Sequence, residues 1–165
     1  MKKCLYFICP TDGLESIING TFHHENYFYS SLGNSVTFND DDLNQTKKLI
    51  CNRGIREISF VLSDDNRIVL DALGSQDFSN IKGLKKFYDQ VIIEKKQLEM
   101  SWQILHPQFS ILSSFLNHKI EDLKNGLSDL MIGEITLNGK IYRKKEHTFD
   151  DVFSHTICQE EFILN

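Results

Sequence analysis

Proline and glycine are scarce in this chain, with two Pro and nine Gly among 165 residues. That scarcity excludes a collagen-like or linker-rich polymer. Long apolar runs are missing too: no stretch approaches the roughly 18–20 apolar residues needed to cross a bilayer, so no membrane partner is expected. Positive charge is in deficit, 18 Lys and Arg against 23 Asp and Glu, for a net charge of −5. That balance excludes a general nucleic-acid binder, because phosphate neutralisation requires a basic surface. Gly-rich phosphate loops, a serine nucleophile elbow and kinase-like strings are all absent. The four cysteines (Cys4, Cys9, Cys51 and Cys158) read as reduced thiols rather than a disulfide frame. Met1-Lys2-Lys3 and the apolar run to Cys9 resemble a secretory leader only superficially. Pro10, Asp12 and Glu15 follow at once, with no small-residue cleavage site. The expected compartment is the cytoplasm.

What is present is a globular mixture. Hydrophobic residues make up 41% and charged residues 25%, which argues against disorder. Twelve Phe and five Tyr supply a well-filled interior. The length suits one domain.

Residues 3–9 form a continuous apolar run ended by Pro10, the pattern of a strand buried on both faces of a parallel sheet. Asp12 is placed to cap a short helix around Gly13 to Asn19. An aromatic strand, Tyr27-Phe28-Tyr29, leads into the turn-forming string Ser30-Ser31-Leu32-Gly33-Asn34. Asn39 and Asp40 to Asp42 open a helix through Ile50 that ends near Gly54. Residues 57–62 form a third strand, closed by Ser63-Asp64-Asp65-Asn66. Apolar spacing then predicts a helix from Ile81 to about Ile104, broken by Pro107. A second helix from Phe109 to Leu130 carries Leu112, Leu116, Ile120, Leu123, Leu127 and Leu130 at steps of three and four. The period becomes two at Ile135, Leu137 and Ile141, with Asn138-Gly139 as the expected hairpin turn. Strands separated by helices, then a closing hairpin, give an α/β fold: a mostly parallel central sheet flanked by helices, with a C-terminal hairpin.

In an open parallel sheet, ligands bind outside the carboxyl ends of the strands. Those ends carry Cys9, Thr11 and Asp12, then Asn34, then Ser63 and Asp64. A thiol, carboxylates, an amide and hydroxyls would thus meet at one rim. Either they form a polar pocket for a small molecule or anion, or Asp12 and residues 64–66 are caps and solvated turns while Cys9 is a buried apolar side chain. His23-His24-Glu25 reads as a surface loop, because adjacent side chains point apart. Cys51 reads as structural. Lys82, Lys85, Lys86, Lys95 and Lys96 read as the solvated side of a helix.

These strings resemble the β-class carbonic anhydrases over about residues 3–143. In that family a zinc-ligand Cys ends the first strand, as Cys9 does. The family's Asn-Ala-Gly-Asn turn is matched by Ser31-Leu32-Gly33-Asn34, and its apolar-x-Gly-x-x-Tyr strand by Leu137 to Tyr142. The resemblance implies a single domain over 1–165, a β-carbonic-anhydrase-like fold and a homodimer.

Departures fall on the functional positions. The family's Cys-x-Asp-x-Arg signature would need Asp and Arg where Thr11 and Gly13 stand, and Asp12 lies one residue out of register. Ser63-Asp64 occupies the place of the Gly-His pair, and Arg67 that of the second Cys. Catalytic zinc needs three protein ligands and an open position for water, which Cys9 alone does not supply. The expectation is a diverged, non-catalytic protein without a cofactor that binds a small molecule or anion at the rim or acts as an interaction subunit. The alternative is a zinc-dependent hydratase of CO2 with rearranged ligands drawn from Cys9, Asp12, His155 and Cys158. A third reading is an unrelated binding module sharing only the α/β topology.

Overall fold

The computed structural model describes residues 1–100, 107–130 and 135–152. Strand β1 (Lys3–Ile8) is buried from Cys4 onwards, as its unbroken apolar run requires. It lies between β2 (Glu25–Ser30) and β3 (Glu57–Ser63), parallel to both. The sheet has the order β2-β1-β3-β4-β5, with β4 (Thr136–Arg143) parallel to β3 and β5 (Thr148–Asp151) antiparallel to β4. The interior placement of residues 3–9 and the parallel arrangement agree with the sequence reading.

Helix α1 (Glu15–Thr21) follows a single 3-10 turn at Pro10–Asp12. Helix α2 (Asp40–Arg53) is bounded as its sequence dictates. The Asn39 side chain accepts from the Asp42 N–H at 2.9 Å, three aspartates occupy the first turn, and Gly54 closes the helix at φ +67°. An acidic first turn and a left-handed C-terminal glycine are the favourable ends of a helix. Helix α3 (Arg67–Leu73) was not evident in the sequence. It exists because Asn66 Oδ1 accepts from the N–H groups of Ile68 and Val69, at 3.1 and 3.0 Å.

Helix α4 (Lys85–Glu99) starts four residues later than the apolar spacing suggested, and residues 101–106 lie outside the described residues. Helix α5 (Pro107–Gly126) begins with the proline that ends the preceding pattern, a residue suited to the first helical turn. Ile111, Leu112, Phe115, Leu116 and Leu123 line its buried stripe. None of the helices among the described residues is long and apolar enough to cross a membrane.

The C-terminal hairpin is present, but Asn138-Gly139 is not its turn. Both residues lie inside β4, opposite Ser59 and Phe60 of β3, and the chain reverses between Arg143 and Thr148. Gly139 is required for space: a Cβ there would sit 2.8 Å from Val152 Cγ2 and 3.3 Å from Ile120 Cδ1. Asn138 is spent across the sheet, donating to Glu57 Oε1 at 3.0 Å and accepting from the Ser59 hydroxyl.

The sheet buries two separate clusters. Leu5, Phe7, Phe60 and Leu62 join side chains of α2, α3, α4 and α5 in the larger one. Cys4, Tyr6, Ile8, Val61 and Tyr142 form the smaller with Leu14 and Ile18, against Phe22, Phe28 and Phe149. Side-chain alternation along β1 feeds one cluster with odd-numbered residues and the other with even.

Candidate functional site

The carboxyl ends of β1 and β3 bring two of the expected rim residues, Asp12 and Ser63, into direct contact and bury Cys9 and Asn34. Cys9 leaves β1 fully buried, and its thiol sulfur accepts the Gly33 N–H at 3.1 Å while lying 3.0 Å from Thr11 Oγ1. Gly33 has φ +59°, and a Cβ there would meet the Phe87 ring at 2.8 Å. Only glycine lets that backbone donor reach the sulfur. Thr11 itself is exposed.

Asp12 does not cap α1: the residue before that helix is Leu14, and no side chain caps it. Its carboxylate turns across the rim instead, accepting from the Ser63 N–H at 2.8 Å and from Asn66 Nδ2 at 2.7 Å. It thereby ties the loop after β1 to the start of α3. Burial raises its pKa from 3.8 to about 6, against the lowering effect of those two donors. Among the described residues no Lys or Arg forms an ion pair with it: Lys144 pairs with Asp65 at 2.7 Å.

Asn34 is fully buried and donates through Nδ2 to the Val61 carbonyl at 2.9 Å. Its Oδ1 accepts no hydrogen bond among the described residues. The Ser63 hydroxyl lies 2.6 Å from Asp65 Oδ1. Asp64 is absorbed by the hairpin, its Oδ1 accepting from the Lys144 N–H at 3.2 Å and its own N–H donating to the Tyr142 carbonyl at 2.9 Å.

A cleft of about 500 Å³ opens beside this rim, on the face covered by α1. Asp12 and Ser63 come to it from the rim, Ile17 and Gly20 from α1, and Tyr142, Lys144 and His147 from the hairpin. The Tyr142 hydroxyl and His147 Nδ1 are 3.0 Å apart. Sequence reasoning missed the contribution of the hairpin, because its turn was placed several residues too early. Asn66 reads as a turn residue in the sequence; its position before Ile68, Val69 and Ala72 is the available helix signal.

Other candidates lie elsewhere. His24 Nδ1 approaches Cys4 Sγ at 3.3 Å near the start of β1, at the opposite end of the sheet, and His23 is exposed. Cys51 is exposed on α2, so it fills no core position. His155 and Cys158 lie outside the described residues.

No family model matches this sequence, and no curated protein does. Solved structures do match. A mutant form of the β-carbonic anhydrase CafD of Aspergillus fumigatus superposes with a TM-score of 0.73 at 15% identity, over 93% of this chain and 90% of that one. A structure from a study of two tetrameric β-carbonic anhydrases of Sordaria macrospora gives 0.70 at 12%, over 92% and 80%. The Coccomyxa β-carbonic anhydrase in complex with acetazolamide gives 0.69 at 10%, over 92% and 72%. The chain therefore has a β-carbonic-anhydrase-like fold.

The zinc that this fold implies finds a poor donor set in the described residues. The Cys9 sulfur is enclosed by Gly33 and Thr11, and both Asp12 oxygens accept protein hydrogen bonds. Arg67, which the resemblance sets at the second thiol's position, has a guanidinium that stays protonated and repels a metal cation. Among the described residues no three His, Cys, Asp or Glu side chains gather as ligands would. These residues do not fit a zinc site.

Proposed function

We propose that this chain is a diverged, non-catalytic relative of the β-carbonic anhydrases that binds a small polar molecule in the cleft at the carboxyl rim of its sheet. The observation that carries this reading is the state of Asp12. A half-buried carboxylate locked by Ser63 and Asn66 is a positioned acceptor at a cleft wall, and it is not oriented by the arginine that the family signature would place at Gly13. Small-molecule sites combine apolar walls with a few fixed polar groups, and Tyr142 and Ile17 supply the apolar part here. Of the two ligand classes expected from the sequence, Asp12 favours a hydrogen-bond donor over an anion. Cys9, Thr11, Asn34, Ser63 and Asp64 act in this reading as the frame that holds Asp12 and the rim in place.

The same reading carries a homodimer in the cytoplasm. Phe78, Ile81 and Ile93 are exposed at 42%, 40% and 53%, and apolar surface of this kind is compatible with a subunit contact; sedimentation measurement of the mass in solution tests it. The catalytic question is tested by CO2 hydration by purified protein supplied with zinc. The expected rate is that of the buffer. Hydration abolished by a chelator would overturn the reading and direct attention to Cys9, His155 and Cys158.

A further inference from the structure

We propose that the ligand of the rim cleft carries a primary ammonium group, which pairs with the Asp12 carboxylate. This deepens the cleft reading given above and rests on it. A carboxylate taken partly out of water is costly unless a cation or donors compensate it. Asp12 has two donors, the Ser63 N–H and Asn66 Nδ2, one on each oxygen. Each carboxylate oxygen can accept a further bond. Lys144 also lines the cleft and its charge acts on Asp12, but its ammonium is held 2.7 Å from Asp65; Arg67 is exposed at the start of α3. Asp12 is therefore a fixed negative charge on the wall of a roughly 500 Å³ cleft with no ion pair among the described residues. An ammonium group offers three donors to such an acceptor, and a charge-assisted bond to it is about twice as strong as a neutral one.

The rest of the cleft suits a short aliphatic body behind that ammonium. Ile17 and the ring of Tyr142 supply apolar contact, and Gly20 leaves open space, since a Cβ built there meets no atom within 4 Å. An anionic ligand would meet Asp12 unfavourably, and Lys144, the cation that lines the cleft, is already spent on Asp65.

The test uses the whole chain, isotope-labelled, titrated with n-butylammonium and separately with butyrate at matched ionic strength. Butylammonium should shift the amide resonances of Ile17, Gly20 and Tyr142 saturably, and butyrate should not. Asp12→Asn should weaken the response at least tenfold. Gly20→Leu, which fills open space on a helix and leaves the rim hydrogen bonds intact, should weaken it to the same extent, so the result does not depend on the Asp12 variant folding. Comparable shifts from butyrate, or butylammonium shifts that Gly20→Leu leaves unchanged, would overturn the ammonium assignment while leaving the non-catalytic reading standing. Absence of any saturable shift in the folded protein would overturn the assignment and the ligand cleft together. Chelator-sensitive CO2 hydration, measured on the same preparation, reports separately on the catalytic question.

Discussion

The two faces of the sheet are built on different principles. One is closed: four helices bury Leu5, Phe7, Phe60 and Leu62 in a continuous apolar cluster. The other has one short helix and a group of aromatic rings, Tyr6 stacked at 5.8 Å on Phe28 and Tyr142 packed at 4.9 Å against Phe149. Between those rings the same strands carry polar groups: Glu57, Ser59, Ser63 and Asn138. The closed face holds the fold together by burial of apolar area. The open face keeps a cleft and a carboxylate held by Ser63 and Asn66. The same strands serve both purposes because successive residues point to opposite sides.

That contrast breaks first, and most severely, on the closed face. Phe7 packs on Phe60 at 4.7 Å and on Phe38 and Tyr29 at 5.4 and 5.1 Å. Phe7→Ala should cost about 3–5 kcal/mol and Leu123→Ala about 2–5 kcal/mol, read from urea unfolding curves. Gly33→Ala follows. It combines a left-handed backbone with contacts at 2.8 and 3.1 Å to Phe87 and Ile68, so about 2–4 kcal/mol is expected, with the Cys9 thiol becoming accessible to a titrating disulfide reagent.

Smaller effects belong to the open face. Asp12 carries a pKa of about 6 in the folded chain against 3.8 as its ordinary value. Between those values the folded protein holds a proton that the unfolded chain has released, so this group's contribution to stability rises as pH falls through 6. Between pH 7 and pH 5 the wild type should gain about 1 kcal/mol relative to Asp12→Asn; equal pH slopes in the two proteins would contradict that environment for Asp12. Gly20→Leu should change stability by no more than about 0.5 kcal/mol, because Gly20 is exposed and a Cβ there meets no atom within 4 Å. A larger loss would mean that the cleft is part of the packed interior.

The closed face was the more legible of the two in the sequence. An unbroken apolar run marked β1, leucines at steps of three and four marked α5, and Asn39 with Gly54 marked the ends of α2, since each signal is local and acts through one element. The open face depends on partners far apart in the chain. Asp12 looked like a helix cap because its partners, Ser63 and Asn66, are 51 and 54 residues away. Asn138-Gly139 carried a turn signature, yet parallel pairing of β4 with β3 placed it mid-strand and moved the reversal to a turn without glycine. There His147 takes the positive φ of 55°. The rim was legible in part: Asp12 and Ser63 meet at one end of the sheet, whereas Cys9 and Asn34 are buried against Gly33 and the Val61 carbonyl. The cleft beside it was not, because it forms where α1 faces the misplaced hairpin.

Whether this rim supports zinc chemistry is tested most directly by stopped-flow CO2 hydration on purified chain after incubation with zinc, with and without a chelator, beside Cys9→Ala as a control. A non-catalytic rim gives the buffer rate in every case and no zinc retained after desalting. Hydration above that rate, lost on chelation and absent from Cys9→Ala, would contradict that reading.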